Sequence, residues 1–237
     1  MTPIRHMAVV VPARDEKDHI VACLQSICTA IDALQQQHPG ISCDVVVVLD
    51  CCRDSTGALA AAQGARTLVS SLGRVGAARQ LGALDAIARA RGASIPNTEV
   101  WLANTDADTA VPPSWLATQH RFAESGSDVV IGTVTPDRLD LRADRLWRQR
   151  HRLIEGHHHV HGANLGVRAS TYLQVGGFAA VSLHEDLDLV NRIKAGPYRW
   201  TATHQTNVTT SARTLSRVDG GFASYVAELG PEDSSCA

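Results

Sequence analysis

Short apolar runs alternate with helical patterns along the first half of the chain, and this alternation restricts the fold more than any other feature. Residues 7–11 form a continuous apolar run, which is typical of a strand buried on both faces of a parallel sheet. Apolar side chains then recur every three or four residues over 20–34, as in a helix that packs one face on such a sheet. The alternation predicts an α/β fold.

The same unit repeats further along the chain. Because parallel strands need crossover connections, the repeats predict a mostly parallel central sheet flanked by helices. No Pro/Ser-rich linker interrupts the chain, so we expect one domain over residues 1–237. The further strands are expected at 44–49, 66–70, 100–103 and 128–134, and the helices between them at 58–63 and 74–91.

Carboxylates follow the predicted strands. Asp50 comes directly after the second strand, while Asp106 and Asp108 follow the strand at 100–103 and are separated by one alanine. The carboxyl ends of parallel strands meet at one edge of a sheet, where ligands gather, and residues two apart can share a face. Mg²⁺ or Mn²⁺ bound there would take its remaining ligands from water and phosphate. The pattern indicates a nucleotide diphosphate held through a metal; alternatively, Asp106 or Asp108 caps the next helix.

Composition narrows the range of partners. The formal net charge of -2 gives the chain no general attraction to nucleic acid. No apolar run approaches the roughly 18 residues of a membrane-spanning helix, and the six cysteines lack paired metal-ligand spacing. Arg145, Arg148 and Arg152 share a helical face that could meet an anionic surface, although a solvated face explains it more simply. We expect a cytoplasmic protein without stable membrane insertion.

Five segments of the chain match a known pattern in order. They are residues 9–16, 48–56, 73–79, 105–109 and 185–189. The chain resembles family 2 glycosyltransferases of the GT-A fold from residue 9 to about residue 221. The resemblance implies a single Rossmann-like GT-A domain, with nucleotide bound by about residues 1–110 and the acceptor side formed by about 111–230. It also implies metal-dependent transfer of a sugar from a nucleoside diphosphate sugar to an acceptor hydroxyl.

The resemblance assigns the donor side. It implies that Pro12, Arg14 and Glu16 of the first loop, together with Asp50, hold the nucleoside. A carboxylate at a strand end can accept from an imide N–H or a ribose hydroxyl, although Asp50 could instead cap the next helix. Arg79 follows two glycines that allow close backbone approach, so it can reach phosphate or ribose; a surface arginine explains it nearly as well.

The resemblance also assigns a metal site for Mn²⁺ or Mg²⁺. It implies that Asp108 binds the cation directly, while Asp106 contacts the ribose or a metal-bound water. The cation stabilises the negative charge of the leaving diphosphate. His204, expected just after a strand near residue 200, is a candidate further ligand, with a solvent-exposed histidine as the alternative.

An acidic pair opens a helical pattern at 185–194. On the helix dipole alone, Glu185 and Asp186 could simply stabilise the first turn. The resemblance implies instead that Asp186 is the general base of an inverting reaction and that Glu185 positions it or substitutes for it.

The acceptor side is less defined. The resemblance makes His161 and Asn164 candidate acceptor-binding residues. Four histidines within 157–161 invite a metal interpretation, but an acceptor loop or a plain surface loop accounts for them better. Arg213, in a Ser/Thr/Arg cluster, is a candidate lid residue that closes on the diphosphate.

Two other functions are compatible with such a sheet. A nucleotidyltransferase also uses acidic metal ligands, but the chain lacks a Gly-rich, basic triphosphate loop after its first strand. A non-catalytic nucleotide-sugar-binding protein would share the binding site without turnover.

Overall fold

The computed structural model of the chain describes residues 2–151 and 153–212. Within them, eight strands form one sheet in the order β3-β2-β1-β4-β7-β6-β8-β5, flanked by seven helices. The strands are β1 (His6–Ala13), β2 (Ser42–Asp50), β3 (Arg66–Ser70), β4 (Val100–Asn104), β5 (Thr109–Ala110), β6 (Val129–Pro136), β7 (Leu165–Arg168) and β8 (Trp200–Thr210). The helices are α1 (Ile20–Gln37), α2 (Thr56–Ala62), α3 (Val75–Gly92), α4 (Trp115–Glu124), α5 (Leu141–Arg150), α6 (Ala169–Gln174) and α7 (Glu185–Lys194).

Strand β1 lies in the interior of the sheet. It pairs in parallel with β2 and β4, and its residues 7–11 are fully buried. Helices cover both faces, which is why the sequence of β1 is an unbroken apolar run rather than an alternating one. The predicted α/β fold and mostly parallel sheet are confirmed.

The second half of the sheet is mixed. β7 is antiparallel to both β4 and β6, whereas β8 runs parallel to β6 with a register shift between Gly132 and Val134. β8 is eleven residues long and therefore extends well past Tyr198–Trp200, where sequence patterns placed the strand. Its carboxyl end is Thr210, at the same edge as the ends of β1 and β2.

Close packing brings α3 against the sheet. A Cβ added to Gly82 would lie 2.6 Å from Cγ1 of Val10 and 2.9 Å from Cγ2 of Val48, so only glycine permits this approach. Arg79 lies one turn earlier on the same helix, and the tight contact places it beside the carboxyl ends of the strands. The packing of α3 thus positions a charged residue of the site.

Within the described ranges, none of the helices combines the length and apolarity needed to cross a membrane. On α5, Arg148 pairs with Asp144 one turn away, at 2.8 Å between Nε and Oδ2. Both side chains are exposed, as expected of a solvated helix face.

Candidate active site

A cleft of about 570 Å³ opens at the carboxyl ends of β1, β2 and β4. One wall comes from the strand-end loops of the first half, and the other from the loop before β7 and the start of α7. The structure therefore brings together most of the residues singled out in the sequence. Those lining the cleft are Pro12, Arg14, Glu16, Asp50, Arg79, Asp106, Asp108, His161, Glu185 and Asp186.

Hydrogen bonds join the loop after β1 to the loop after β2. Asp15 adopts a left-handed φ of 53°, and its Oδ1 accepts hydrogen bonds from the backbone N–H of Arg53 at 2.6 Å and of Asp54 at 3.3 Å. The Cys52 thiol donates to the carbonyl of Ala13 at 3.2 Å. These bonds fix the first loop relative to the end of β2.

Asp15, Cys52 and Asp54 form the one set of three potential metal-ligand atoms within 4.8 Å of one another in the described residues. All three side chains bond to backbone groups of the two loops. Their contacts explain them as loop-forming residues.

Asp50 is buried at the carboxyl end of β2. Its Oδ1 accepts hydrogen bonds from Ser70 Oγ at 2.7 Å and from the backbone N–H of Gly73 at 3.0 Å. The next helix, α2, has Ser55 as its N-cap. Asp50 is therefore a fixed carboxylate in the cleft wall rather than a helix cap.

Asp106 and Asp108 lie on the turn between β4 and β5. The turn closes with a bond from the N–H of Thr109 to the carbonyl of Asp106, at 3.1 Å. Asp108 meets the end of β8, because Oγ1 of Thr210 lies 3.5 Å from its Oδ1. The following helix α4 has Ser114 as its N-cap, so neither aspartate caps it.

Arg79 is buried between the two walls. Its Nη2 bonds Asp106 Oδ1 at 2.5 Å, and its Nε bonds Glu185 Oε1 at 3.1 Å. Burial lowers the pKa of Arg79, but Asp106, Glu185 and Asp186 raise it, and the net direction is upward. Arg79 is thus a fixed positive charge at the centre of the acidic cleft, not a surface arginine.

Glu185 is also buried. Burial raises the pKa of its carboxyl group, and the adjacent Arg79 opposes that change. Its bond to Arg79 orients the side chain inside the wall of the cleft.

Asp186 is held at the N-terminus of α7. Its Oδ2 accepts the backbone N–H of Gly162 at 2.6 Å, and its Oδ1 accepts the N–H of Leu187 at 2.7 Å. It therefore satisfies a helix-terminal N–H while it also lines the cleft. The helix-terminal and cleft-lining interpretations of this residue are compatible.

The histidines before β7 form a row of rings. The centroid of His159 lies 4.6 Å from that of His151, 6.0 Å from His157 and 6.2 Å from His161. His151 also stacks on Trp147 at 3.7 Å. Burial, together with the neighbouring imidazoles, lowers the pKa of His161 to about 3. His161 lines the cleft as a neutral ring at neutral pH.

Asn164 does not reach the cleft, and its predicted role in acceptor binding is not supported. Its Nδ2 donates to the carbonyls of Thr133 at 2.8 Å and Thr206 at 2.6 Å, while its Oδ1 accepts from Trp115 Nε1 at 2.9 Å. The side chain joins β6, β8 and α4 inside the protein. Its hydrogen-bonding capacity is used by the fold.

His204 is likewise not brought to the aspartates, contrary to the sequence prediction. β8 continues to Thr210, so His204 lies within the strand rather than after it. Its Nδ1 pairs with Glu155 Oε1 at 2.8 Å, and it does not line the cleft. The candidate lid residue Arg213 is outside the residues that the structure describes.

Two parts of the site carried no clear sequence signal. Gly162 donates to Asp186 and packs on Arg79, where an added Cβ would lie 2.6 Å from Nη2. Thr210 approaches Asp108 only because β8 is long. A glycine in a glycine-rich loop and a threonine in a threonine-rich strand are not distinctive by themselves, so only the tertiary structure identifies them.

Comparison with known proteins places this arrangement among sugar-transferring enzymes. The sequence model of glycosyl transferase family 2 matches residues 8–172. That span includes the loop after β1, Asp50, Arg79 and the Asp106/Asp108 turn. No curated protein sequence matches the chain.

Solved structures share the fold at low sequence identity. A fragment of S. aureus TarS (residues 1-349) is 14% identical with a TM-score of 0.58, covering 88% of this chain and 61% of that one. The mannosyltransferase PcManGT from Pyrobaculum calidifontis, in complex with GDP-Man and Mn²⁺, is 16% identical with a TM-score of 0.58, covering 94% and 60%. Glucosyl-3-phosphoglycerate synthase from Mycobacterium tuberculosis, with Mn²⁺, UDP and glucosyl-3-phosphoglycerate, is 18% identical with a TM-score of 0.53, covering 95% and 78%. The chain thus spans less than two thirds of the first two of these proteins.

Proposed function

Since the chain belongs to glycosyl transferase family 2, we propose that it transfers a sugar from a nucleoside diphosphate sugar to an acceptor hydroxyl, with inversion at the anomeric carbon. One observation carries this proposal. The cleft presents the Asp106/Asp108 turn on one wall and Asp186 on the other. A cation-bound leaving group and a base can therefore act on the same sugar.

The donor nucleoside occupies the side formed by the first half of the chain in this proposal. Pro12, Arg14 and Glu16 line it, and Asp50 is fixed there through its Oδ1. Its Oδ2 is the atom we assign to a base N–H or a ribose hydroxyl. Two structures of the same fold contain UDP or GDP-Man, which supports this class of donor.

Asp106 and Asp108 are the residues that would hold Mn²⁺ or Mg²⁺. Their carboxylates are hard oxygen ligands beside open space for phosphate and water, which suits either cation. The carboxylates of Asp106, Glu185 and Asp186 surround the guanidinium of Arg79, so negative charge is in excess there even before Asp108 is counted. A bound divalent cation would balance that charge and stabilise the departing diphosphate.

Asp186 is the general base of the proposed reaction. It takes the proton of the acceptor hydroxyl while the acceptor oxygen bonds to the anomeric carbon. The bond from that carbon to the diphosphate breaks, and its electron pair stays on the diphosphate oxygen. The two backbone N–H groups that bind Asp186 keep its carboxylate in one orientation for this step. Glu185, buried and bonded to Arg79, positions the helix rather than replacing the base.

The acceptor enters on the side of His161. This ring and the apolar side chains of Val134 and Leu183 line that part of the cleft. Because the pKa of His161 is lowered to about 3, the ring can give or take a hydrogen bond without carrying a charge. We assign it to contact with the acceptor hydroxyl group or its neighbours. The cysteines among the described residues are unpaired, which suits the cytoplasm as the working compartment.

The proposal is tested in two steps. A thermal-shift panel of nucleoside diphosphates and their sugars, with and without Mn²⁺, should give a metal-dependent stabilisation by one base. With that donor, release of the nucleoside diphosphate and NMR of the transferred sugar then report turnover and anomeric configuration. A retained configuration would contradict the single displacement.

A matched pair of variants separates chemistry from folding. Asp186→Asn should abolish transfer while Mn²⁺-dependent nucleotide binding persists. Asp188→Asn is the control, because Asp188 is an acid of the same helical turn that is exposed and pairs with Arg192. Binding without any turnover by the unaltered protein would identify a non-catalytic nucleotide-sugar-binding protein. Release of pyrophosphate from a nucleoside triphosphate would identify a nucleotidyltransferase.

A further inference from the structure

Arg79 contacts both walls of the cleft. Its Nη2 bonds Asp106 on the turn assigned to the metal, and its Nε bonds Glu185 at the start of the helix that carries Asp186. The planar guanidinium presents these donors in a fixed fork, so a change in the position of one carboxylate is transmitted to the other. The Arg79 side chain is only 2% exposed and that of Glu185 is also buried, so water screens the bond between them weakly.

A second route connects Arg79 to the base. Gly162 packs directly on the guanidinium, since an added Cβ would lie 2.6 Å from Nη2 and 2.9 Å from Cζ. The N–H of the same glycine donates to Asp186 at 2.6 Å. Arg79 therefore supports Asp186 by two routes. One runs through Glu185, which precedes Asp186 in the sequence, and the other runs through Gly162, whose N–H donates to Asp186.

The guanidinium also has unused hydrogen-bonding capacity. Nη1 is buried and makes no hydrogen bond to the residues that the structure describes. An unsatisfied buried donor is costly, and this one belongs to a side chain that lines the cleft. The ring of Phe178, 5.9 Å from Cζ, limits movement of the guanidinium on another side.

We propose that Arg79 is a positioning residue that couples the two halves of the reaction: it aligns the base Asp186 with the donor and cation at Asp106. This inference rests on the proposed function for its catalytic meaning. The fork holds Asp106 on one side, and on the other it holds Glu185 and Gly162, which support the base.

The first test uses the free protein and needs no substrate. NMR hydrogen exchange of ¹⁵N-labelled protein reports on the amide of Gly162. Arg79→Lys keeps the charge but loses the fork, and it should speed exchange of this amide at least about tenfold while other core amides stay protected. Arg89→Lys is the matched control, because Arg89 lies on the same helix with an exposed side chain that pairs with Asp44. It should leave the Gly162 amide unchanged.

The second test measures turnover against binding. Glu185→Gln keeps the size of the side chain but removes the negative charge that pairs with Arg79. It therefore tests the same link if Arg79→Lys folds poorly. We expect kcat to fall about 10- to 100-fold in each variant, with the Kd for Mn²⁺ and nucleoside diphosphate much less affected. The double variant should lose little more than Arg79→Lys alone, because both changes break one link.

The outcomes separate this proposal from the proposed function. Faster exchange at Gly162 in Arg79→Lys, in a protein that transfers no sugar from the nucleoside diphosphate sugars tested, would support the link from Arg79 to Gly162 and count against the proposed function. Unchanged Gly162 exchange in both single variants, or additive losses in kcat, would overturn the coupling even if transfer is observed. A purely structural arginine would lower the melting temperature but leave kcat per folded molecule intact.

Discussion

Lowering the pH from 7 to 5 should destabilise the fold through the row of histidines before β7. Burial is the main cause that lowers the pKa of His161 to about 3 and of His151 to about 4, from 6.5 for an unperturbed ring. Each ring is therefore neutral in the folded protein and becomes charged in the unfolded chain below pH 6.5. Above pH 6.5 the neutral rings do not reduce the free energy of unfolding. As the pH falls from 6.5 toward the pKa values of the rings in the folded protein, the free energy of unfolding decreases.

The magnitude follows from the two pKa values. Between pH 7 and pH 5, protonation of the unfolded state costs the folded state at most about 2 kcal/mol for each of the two rings, since solvent screens a half-buried ring such as His151. His157 and His159 have pKa values lowered in the same direction, so they add to the loss. Even half of the resulting upper limit of about 4 kcal/mol is a large part of the usual stability of a domain.

Urea denaturation at pH 7 and pH 5 measures the loss. Carboxylates also titrate in acid, so the comparison needs a variant that lacks one imidazole. His151→Phe keeps a ring stacked on Trp147 and removes the titrating group. Its free energy of unfolding should fall less than that of the unaltered protein over the same pH interval, by about 1–2 kcal/mol. If the two proteins lose the same stability, His151 is not neutral in the fold and the reasoning is refuted.

Three further predictions concern single residues. Asp108→Asn should reduce turnover at least about 100-fold and weaken Mn²⁺ binding measured by calorimetry, with an unchanged melting temperature; normal Mn²⁺ affinity would remove Asp108 from the metal site. Asn164→Ala should lower the free energy of unfolding by about 2–4 kcal/mol in urea, because it leaves Trp115 Nε1 and two buried carbonyls without their partner. His204→Gln should leave the Mn²⁺ dependence of activity unchanged, since His204 pairs with Glu155 outside the cleft; a raised Mn²⁺ requirement would place it back among the ligands.

The sequence predicts those parts of the fold in which consecutive residues are buried and therefore apolar. β3 was predicted at its observed bounds, and β1 and β4 within one or two residues, because apolar runs mark strands covered on both faces. The antiparallel β7 has only four residues after a histidine-rich loop, and its pairing with β4 depends on distant contacts. Neither the position of β7 nor its antiparallel pairing with β4 has a local signal in the sequence.

The same distinction applies to the site. The sequence could locate Asp50, Asp106 and Asp108, because the carboxyl ends of parallel strands lie together at one edge of the sheet. His204 could not be placed, because its position depends on how far β8 continues before it ends at Thr210. Asparagine is a residue type that often binds ligands, but the side chain of Asn164 makes three hydrogen bonds inside the protein. Spacing in sequence does not distinguish a polar side chain that serves the fold from one that serves a ligand.

The length of β8 has a practical consequence for protein engineering. Thr210 and Ser211, at its end, line the cleft, so a segment inserted directly after Ser211 would start beside the space that substrates enter. The start of β1 at His6 lies at the opposite, amino-terminal edge of the sheet. Affinity tags and fluorescent fusions are therefore better attached before β1 than inserted at residues 211–212.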